Sequence, residues 1–147
     1  MLAGPGGRRV VPAAEFFTSF LETALRPDEL LVEVRIPLRE RHGWAYAKYT
    51  RRALEWATVA VAAVIGPVHR VALVNMGPTP LRASAVERAL DEGVAPSAAA
   101  ALAADGTTPP VDDTADAAYR SHLARVLTAR ALAEAADTLE EPWPRRP

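Results

Sequence analysis

The chain has 147 residues, of which 50% are hydrophobic and 24% charged, enough apolar material to bury one sizeable core. Its 17 basic and 18 acidic side chains leave a formal net charge of -1, so no overall field draws it to nucleic acid or to an anionic membrane. Cysteine is absent, which excludes disulfides and any iron–sulfur cluster held by the chain's own thiolates. Because no apolar run approaches the ~20 residues of a membrane span and the start lacks a signal-peptide pattern, we expect a soluble, cytoplasmic protein.

The first part of the chain has the pattern of short strands. Arg8–Val11 is an extended run ended by Pro12, and residues 13–17 are expected to form one helical turn that buries Phe16 or Phe17. After a turn at residues 26–29, residues 30–36 alternate apolar and charged side chains up to Pro37. This alternation predicts a half-buried strand. Its apolar face would consist of Val32, Val34 and Ile36.

A second group of strands is predicted after a charged link at residues 38–42. Residues 44–50 alternate and end at Arg51 and Arg52. One face of that strand would carry Trp44, Tyr46, Lys48 and Thr50. Residues 59–65 and 70–76 are apolar runs joined by the short turn 66–69, which predicts an antiparallel pair.

The pattern then changes to helices. Thr79 and Pro80 fit an N-cap and first helical position, with Ala83, Val86 and Leu90 as the apolar stripe of a helix that Gly93 ends. An alanine-rich helix is predicted at residues 96–104.

A third and longest helix is expected after residues 112–114, with Asp112, Asp113 or Thr114 as its cap. Its apolar stripe would contain Tyr119, Leu123, Val126 and Leu127, interrupted by Arg130. Strands first and helices afterwards favour an α+β fold.

Motifs that carry chemistry are scarce. His42, His69 and His122 lack the short spacing of metal-ligand pairs, and we expect no metal site. The adjacent carboxylates at 112–113 and 140–141 are typical of solvated charges. There is no nucleophile-elbow motif and no glycine-rich phosphate loop before a helix. Composition and spacing alone therefore indicate only a soluble α+β domain.

Five segments in order resemble the FAD-binding medium subunits of molybdenum hydroxylases of the carbon monoxide and xanthine dehydrogenase type. They are Gly4–Phe17, Thr23–Pro37, Tyr46–Arg52, Gly77–Ala83 and Tyr119–Leu127. The resemblance implies a three-stranded antiparallel sheet packed on a three-helix bundle, preceded by a remnant of the flavin-binding domain. The corresponding boundaries are 1–38 for the remnant, 44–138 for the C-terminal-like domain and 139–147 for a flexible tail.

The resemblance also implies a function. Electrons from a molybdenum centre would cross iron–sulfur clusters on another subunit, reach FAD, and pass to an external acceptor. The implied partners are the molybdenum-cofactor large subunit and the iron–sulfur small subunit. By the same resemblance, Leu31, Tyr46 and Lys48 would edge the flavin, and Lys48, the single lysine of the chain, matches a family lysine near the ring.

Purely structural interpretations of these residues stay open. Leu31 would be a core residue, Tyr46 would pack against a cross-strand neighbour, and Lys48 would be a solvated side chain. Arg51 and Arg52 border the acceptor side of the flavin or form a solvated strand end.

The chain also departs from the family pattern. It lacks the glycine-rich loops that cradle the FAD pyrophosphate, so the isolated chain is expected to be inactive. Leu54–Ala57 stands where the family usually has Gly-Asp and an aromatic residue before Ala, and the turn 66–69 is shorter than usual.

Two other functions remain as alternatives. In the first, the chain would be a subunit-docking module that does not bind flavin by itself. In the second, more remote alternative, it would bind nucleic acid through the arginine pairs at 51–52 and 145–146.

Overall fold

The structure is a computed structural model and describes residues 1–37 and 42–140. The chain divides into two compact units, Met1–Arg39 and Glu40–Pro147. Antiparallel sheets and several helices make up the fold, in agreement with the mixed helix and strand content expected from the sequence. The charged link predicted at 38–42 lies outside the described residues except for His42, and so does the predicted tail beyond residue 140.

The first unit contains two small antiparallel sheets. Its elements are β1 (Leu2–Gly4), β2 (Gly7–Arg9), α1 (Ala13–Phe16), β3 (Phe17–Ser19), β4 (Glu22–Thr23) and β5 (Leu30–Leu31). One sheet has the order β2-β1-β5, and the other pairs β3 with β4. Leu2 is the single fully buried residue among residues 1–37.

Two predictions for this unit were wrong. Only Leu30 and Leu31 of the predicted strand 30–36 are paired. The apolar face predicted for this strand is exposed by 49%, 70% and 77% at Val32, Val34 and Ile36. Beyond β5 the backbone is held by contacts with Met1, and no described element of the unit covers the apolar side. The predicted burial of Phe16 or Phe17 fails as well, since Phe16 is half-buried and Phe17 is 47% exposed.

The second unit is built on a four-stranded antiparallel sheet. Its strands are β6 (Gly43–Tyr49), β7 (Val59–Ile65), β8 (Arg70–Val74) and β9 (Leu81–Arg82), in the order β6-β7-β8-β9. The predicted antiparallel pairing of residues 59–65 with 70–76 is confirmed, with Ala62 opposite Ala72. The sheet has one strand more than the three predicted, because β9 adds to the free edge of β8.

Because of this extra strand, the next helix begins later in the chain than predicted. Thr79 and Pro80 do not cap it, because Leu81 and Arg82 pair with β8 and the Ala83 amide donates to the Val71 carbonyl. The helix α2 runs over Ser84–Asp91 with Ala83 at its N-cap position. Its predicted apolar stripe is buried, and Gly93 follows its end with a φ of 80°.

The remaining helices also differ in detail from the prediction. The alanine-rich segment forms α3 (Pro96–Ala99) followed by a 3-10 turn at Ala100–Leu102. The long helix α4 covers Ala117–Glu140. Its cap is Asp116, whose Oδ1 accepts the Tyr119 amide at 2.7 Å. None of the three residues predicted to cap the helix does so. Asp112 instead accepts hydrogen bonds from the amides of Thr114 and Ala115 in its own turn.

The buried face of α4 is shifted from the predicted stripe. Leu123 and Leu127 are buried as expected, but Tyr119 is 41% exposed. Arg120, which was not assigned to the core, is 1% exposed. The face that packs on β6 and β7 is lined largely by small side chains, which allow the helix to approach the sheet closely. These are Ala124, Thr128, Ala131 and Ala135.

Candidate functional site

The strand β6 presents an open face. Tyr46 is 53% exposed, Lys48 is also exposed, and Ala45, between Trp44 and Tyr46, is 3% exposed and faces the core. This reproduces the predicted alternation. Residues directly opposite in a sheet share a face, so the open face continues through Ala62 and Ala72 beside Tyr46. Tyr46 therefore lies beside small side chains on this face, whereas Ala60, opposite Lys48, is buried.

Two of the three predicted cofactor-contacting residues are therefore brought together. Tyr46 and Lys48 lie two positions apart on one strand face, a spacing of about 7 Å along a strand. Leu31 belongs to the other unit, where it is 47% exposed and pairs with Leu2. Its contact with the same ligand stays a prediction.

A loop of residues 50–58 continues β6 into β7. Arg51 and Arg52 lie 4.0 and 3.6 Å from Glu55, and all three side chains are at least a third exposed. The Glu55 amide donates to the Arg52 carbonyl at 3.2 Å, so the turn forms without the glycine usual in the family. Leu54 and Trp56 are 99% and 77% exposed.

The base of this loop is held by residues from distant elements. The Thr58 amide donates to the Tyr49 carbonyl at 2.8 Å and closes the loop. Arg120 Nη1 of α4 donates to the Thr58 carbonyl at 2.5 Å, and Asn75 Nδ2 donates to the carbonyls of Ala57 and Thr58 at 3.1 and 3.3 Å. Neither role was predicted. Asn75 carried one usable signal, a polar residue tolerant of positive φ directly after an apolar strand.

The charge on Arg120 is balanced by Asp112. Arg120 Nη2 donates to Asp112 Oδ2 at 2.5 Å. The pKa of Asp112 lies below its ordinary value, chiefly because its carboxylate accepts the Thr114 amide. Desolvation is the next largest effect and opposes this shift, while the Ala115 amide and Arg120 lower the pKa further. The aspartate is therefore ionised at neutral pH and is a permanent partner for the buried guanidinium.

Two tyrosines meet beside the same end of β6. The rings of Tyr49 and Tyr119 are 6.3 Å apart and nearly perpendicular, at 85°. A hydrogen bond with Tyr49, and secondarily desolvation, raises the pKa of Tyr119 above its ordinary value. The pair links the end of β6 to the first turn of α4.

No cluster of three or more potential metal ligands occurs among residues 1–37 and 42–140. His69 contacts the Asp91 carboxylate, with Nδ1 and Oδ1 2.8 Å apart. Among those same residues, no helix is long and apolar enough to cross a membrane.

The described helix N-termini do not suit a dinucleotide pyrophosphate. The two described helices of eight or more residues, α2 and α4, begin with carboxylates nearby: Glu87 in the first turn of α2 and Asp116 at the cap of α4. Such charges repel a phosphate, which favours free amides at a helix start. Neither of these two helix starts therefore offers the free amides that a phosphate favours.

The fold agrees with that of a class of flavoprotein domains. Residues 44–135 match the family model described as the CO dehydrogenase flavoprotein C-terminal domain. The chain belongs to this family and corresponds to the C-terminal portion of the medium subunits of molybdenum hydroxylases.

Named relatives agree. The chain is 38% identical over 143 residues to the carbon monoxide dehydrogenase medium chain of Hydrogenophaga pseudoflava, covering 90% of this chain and 50% of the relative. It is 35% identical over 147 residues to the caffeine dehydrogenase subunit beta of a Pseudomonas species, covering 90% and 49%.

A solved structure of carbon monoxide dehydrogenase from Hydrogenophaga pseudoflava superposes with a TM-score of 0.82 at 39% identity, covering 93% of this chain and 52% of that one. The chain thus spans about half the length of the relatives that it matches.

Proposed function

We propose that this chain is the C-terminal part of the flavin subunit of a molybdenum hydroxylase. In the assembled enzyme it would help to pass electrons from iron–sulfur clusters through FAD to an external acceptor. Its partners would be the molybdenum-cofactor large subunit and the iron–sulfur small subunit, in the cytoplasm. The family match and the names of the relatives support this assignment.

The observation that carries the proposal is the exposed pair of Tyr46 and Lys48 on β6. FAD, when bound, takes up electrons and releases them to the acceptor. An ammonium beside the ring edge favours the negative charge that the ring gains on reduction. A tyrosine ring offers a planar apolar surface against which the flavin can pack. Leu31 is proposed as a third contact, from the flavin-domain remnant at 1–38.

The energetics predict that this chain alone is a poor FAD binder. Pyrophosphate binding needs several convergent backbone donors, and the starts of α2 and α4 carry carboxylates instead. A ring held at one strand edge keeps only part of its burial and still loses translational and rotational freedom. The rest of the site is proposed to come from the half of the family's subunit that this chain does not match.

A titration tests this directly. The chain alone and the chain joined to a relative's flavin-domain half are each titrated with FAD, and binding is followed by quenching of flavin fluorescence. We expect tight binding by the joined protein and weak or no binding by the chain alone. Micromolar or tighter binding by the chain alone would show that its site is more complete than proposed, whereas failure of both would refute the flavin assignment.

A subunit-docking module is the second candidate. Among residues 1–37 large apolar side chains are exposed throughout and Leu2 alone is fully buried, as expected for a surface that another polypeptide covers. The domain assignment 44–138 would leave the helical part to make these subunit contacts too. Retained complex formation without flavin absorbance in the purified complex would favour this candidate over the first.

A further inference from the structure

The body of the β6–β7 loop, residues 51–56, is not anchored to the core. Leu54 and Trp56 point large apolar side chains into solvent, with exposures of 99% and 77%. Within the described part of the chain, the hydrogen bonds and ion pairs of residues 51–56 stay inside the loop. The position of this body must therefore be set at its base, where residues 57 and 58 lead into β7.

Two side chains hold that base, and both come from remote parts of the fold. Arg120 lies 62 residues from Thr58 in sequence and reaches its carbonyl from α4. Asn75 reaches the carbonyls of Ala57 and Thr58 from the end of β8, 18 and 17 residues away. The Thr58 carbonyl thus accepts two donors on its two lone pairs, which fixes the plane of that peptide.

At each of these two positions another type of residue would cost less free energy. Arg120 is 1% exposed, its Nε has no hydrogen-bond partner among the described residues, and burying a guanidinium costs more than burying an apolar side chain of similar volume. Asn75 adopts a φ of 62°, a conformation that glycine adopts more easily. What the two have in common is the donors that they supply to the loop base.

We infer that Arg120 and Asn75 are positioning residues that fix the β6–β7 loop relative to the Tyr46 and Lys48 face. This inference rests on the proposed function, in which that face borders the flavin. By holding the loop base they would determine where the exposed arginines and Trp56 stand beside the route that an electron acceptor takes to the flavin. Their effect is on access and orientation, since both side chains are bonded to the loop base.

The first test measures the loop base in this chain without any cofactor. Hydrogen exchange of the Thr58 amide, which is bonded to the Tyr49 carbonyl, is compared between the wild type and Asn75→Gly. Glycine accepts the positive φ, so the variant loses the amide donors without backbone strain. We expect Thr58 to exchange about tenfold faster, the factor that corresponds to ~1.4 kcal/mol, while amides in the centre of β7 keep their rates.

A matched control separates positioning from general weakening. Thr138→Ala removes the hydroxyl that bonds the Trp44 amide and carbonyl at 2.8 and 2.9 Å, at the opposite end of β6. It should lower stability while leaving Thr58 exchange at the wild-type rate relative to β7. Arg120→Lys keeps the positive charge but loses the forked geometry, and should act like Asn75→Gly. Unchanged exchange in Asn75→Gly, or equal acceleration in Thr138→Ala, would overturn the inference.

The second test uses the assembled flavin subunit. Asn75→Gly should lower kcat/KM for the electron acceptor about tenfold through KM, with flavin content unchanged. Faster Thr58 exchange with unaltered acceptor kinetics would overturn the positioning role while leaving the loop contact in place. If the wild-type assembly holds no flavin, the proposed function fails, and that result is distinct because the exchange measurement does not depend on flavin.

Discussion

A methyl group on Gly43 would lie 1.7 Å from the carbonyl oxygen of Ala135. The first residue of β6 thus touches the backbone of α4 at a distance that only glycine permits. We predict that Gly43→Ala lowers the free energy of unfolding of the second unit by more than about 3 kcal/mol, because the obstacle is backbone and the helix must shift as a body. Urea unfolding followed by circular dichroism measures the loss.

Gly77→Ala is the control for this prediction. A methyl group there would meet Leu81 Cδ1 at 2.9 Å, and this atom is the end of a flexible side chain. The cost should be well below that of Gly43→Ala. Equal costs for the two variants would contradict the close approach of α4 to β6.

The carboxylate of Glu29 gives a prediction about pH. Arg9 binds it with two hydrogen bonds of 2.7 Å, and this contact, with the Arg26 amide, lowers the pKa of Glu29 from 4.5 to about 2. A lowered folded-state pKa contributes stability that is complete above pH 4.5 and is lost as the pH falls towards 2. We therefore expect the first unit to weaken across that window.

An NMR titration of the Glu29 carboxyl carbon checks this prediction. Arg9→Gln should return the pKa of Glu29 towards 4.5, whereas Arg8→Gln, which removes an arginine that makes no described contact with Glu29, should not. A wild-type Glu29 that titrates near its ordinary value would argue against the ion pair.

The two parts of the chain should differ in protection against hydrogen exchange. The second unit contains a continuous buried core of sheet and helices, whereas Leu2 is the single fully buried residue among residues 1–37. Amides of residues 44–136 should be protected by cooperative unfolding, and those of residues 1–37 should exchange through local opening. Equal protection in both parts would count against this prediction.

Lys48 should influence the flavin through its charge. In the full subunit, Lys48→Ala is expected to make the flavin reduction potential more negative by about 30 mV, the equivalent of ~1.4 kcal/mol for a two-electron couple. Arg70→Ala is the matched control, because Arg70 is an exposed cation on the same sheet face but on β8. An unchanged potential and acceptor turnover in Lys48→Ala would return Lys48 to the status of a solvated side chain.

Local patterns in the sequence predicted the regular elements well. Period-two alternation identified the open face of β6, and the short link at 66–69 required the antiparallel pair β7 and β8. Residues 30–36 show where such reasoning stops. Their alternation predicts a strand, but a strand also needs a neighbour to pair with and a layer to cover it, and the described unit supplies neither beyond Leu31.

The sequence by itself determined the mixed fold and the alternation that exposes Tyr46 and Lys48, because these depend on residues close together in the chain, and the order of five segments along the chain indicated the family. The tertiary structure decided which residue caps α4, that Leu81 and Arg82 form a fourth strand, and that Arg120 is buried against the loop base. In an alanine-rich helix nearly every face looks compatible with packing, so periodicity cannot select the buried one. The choice depends on contacts such as that between Arg120 and Thr58, which join residues 62 positions apart.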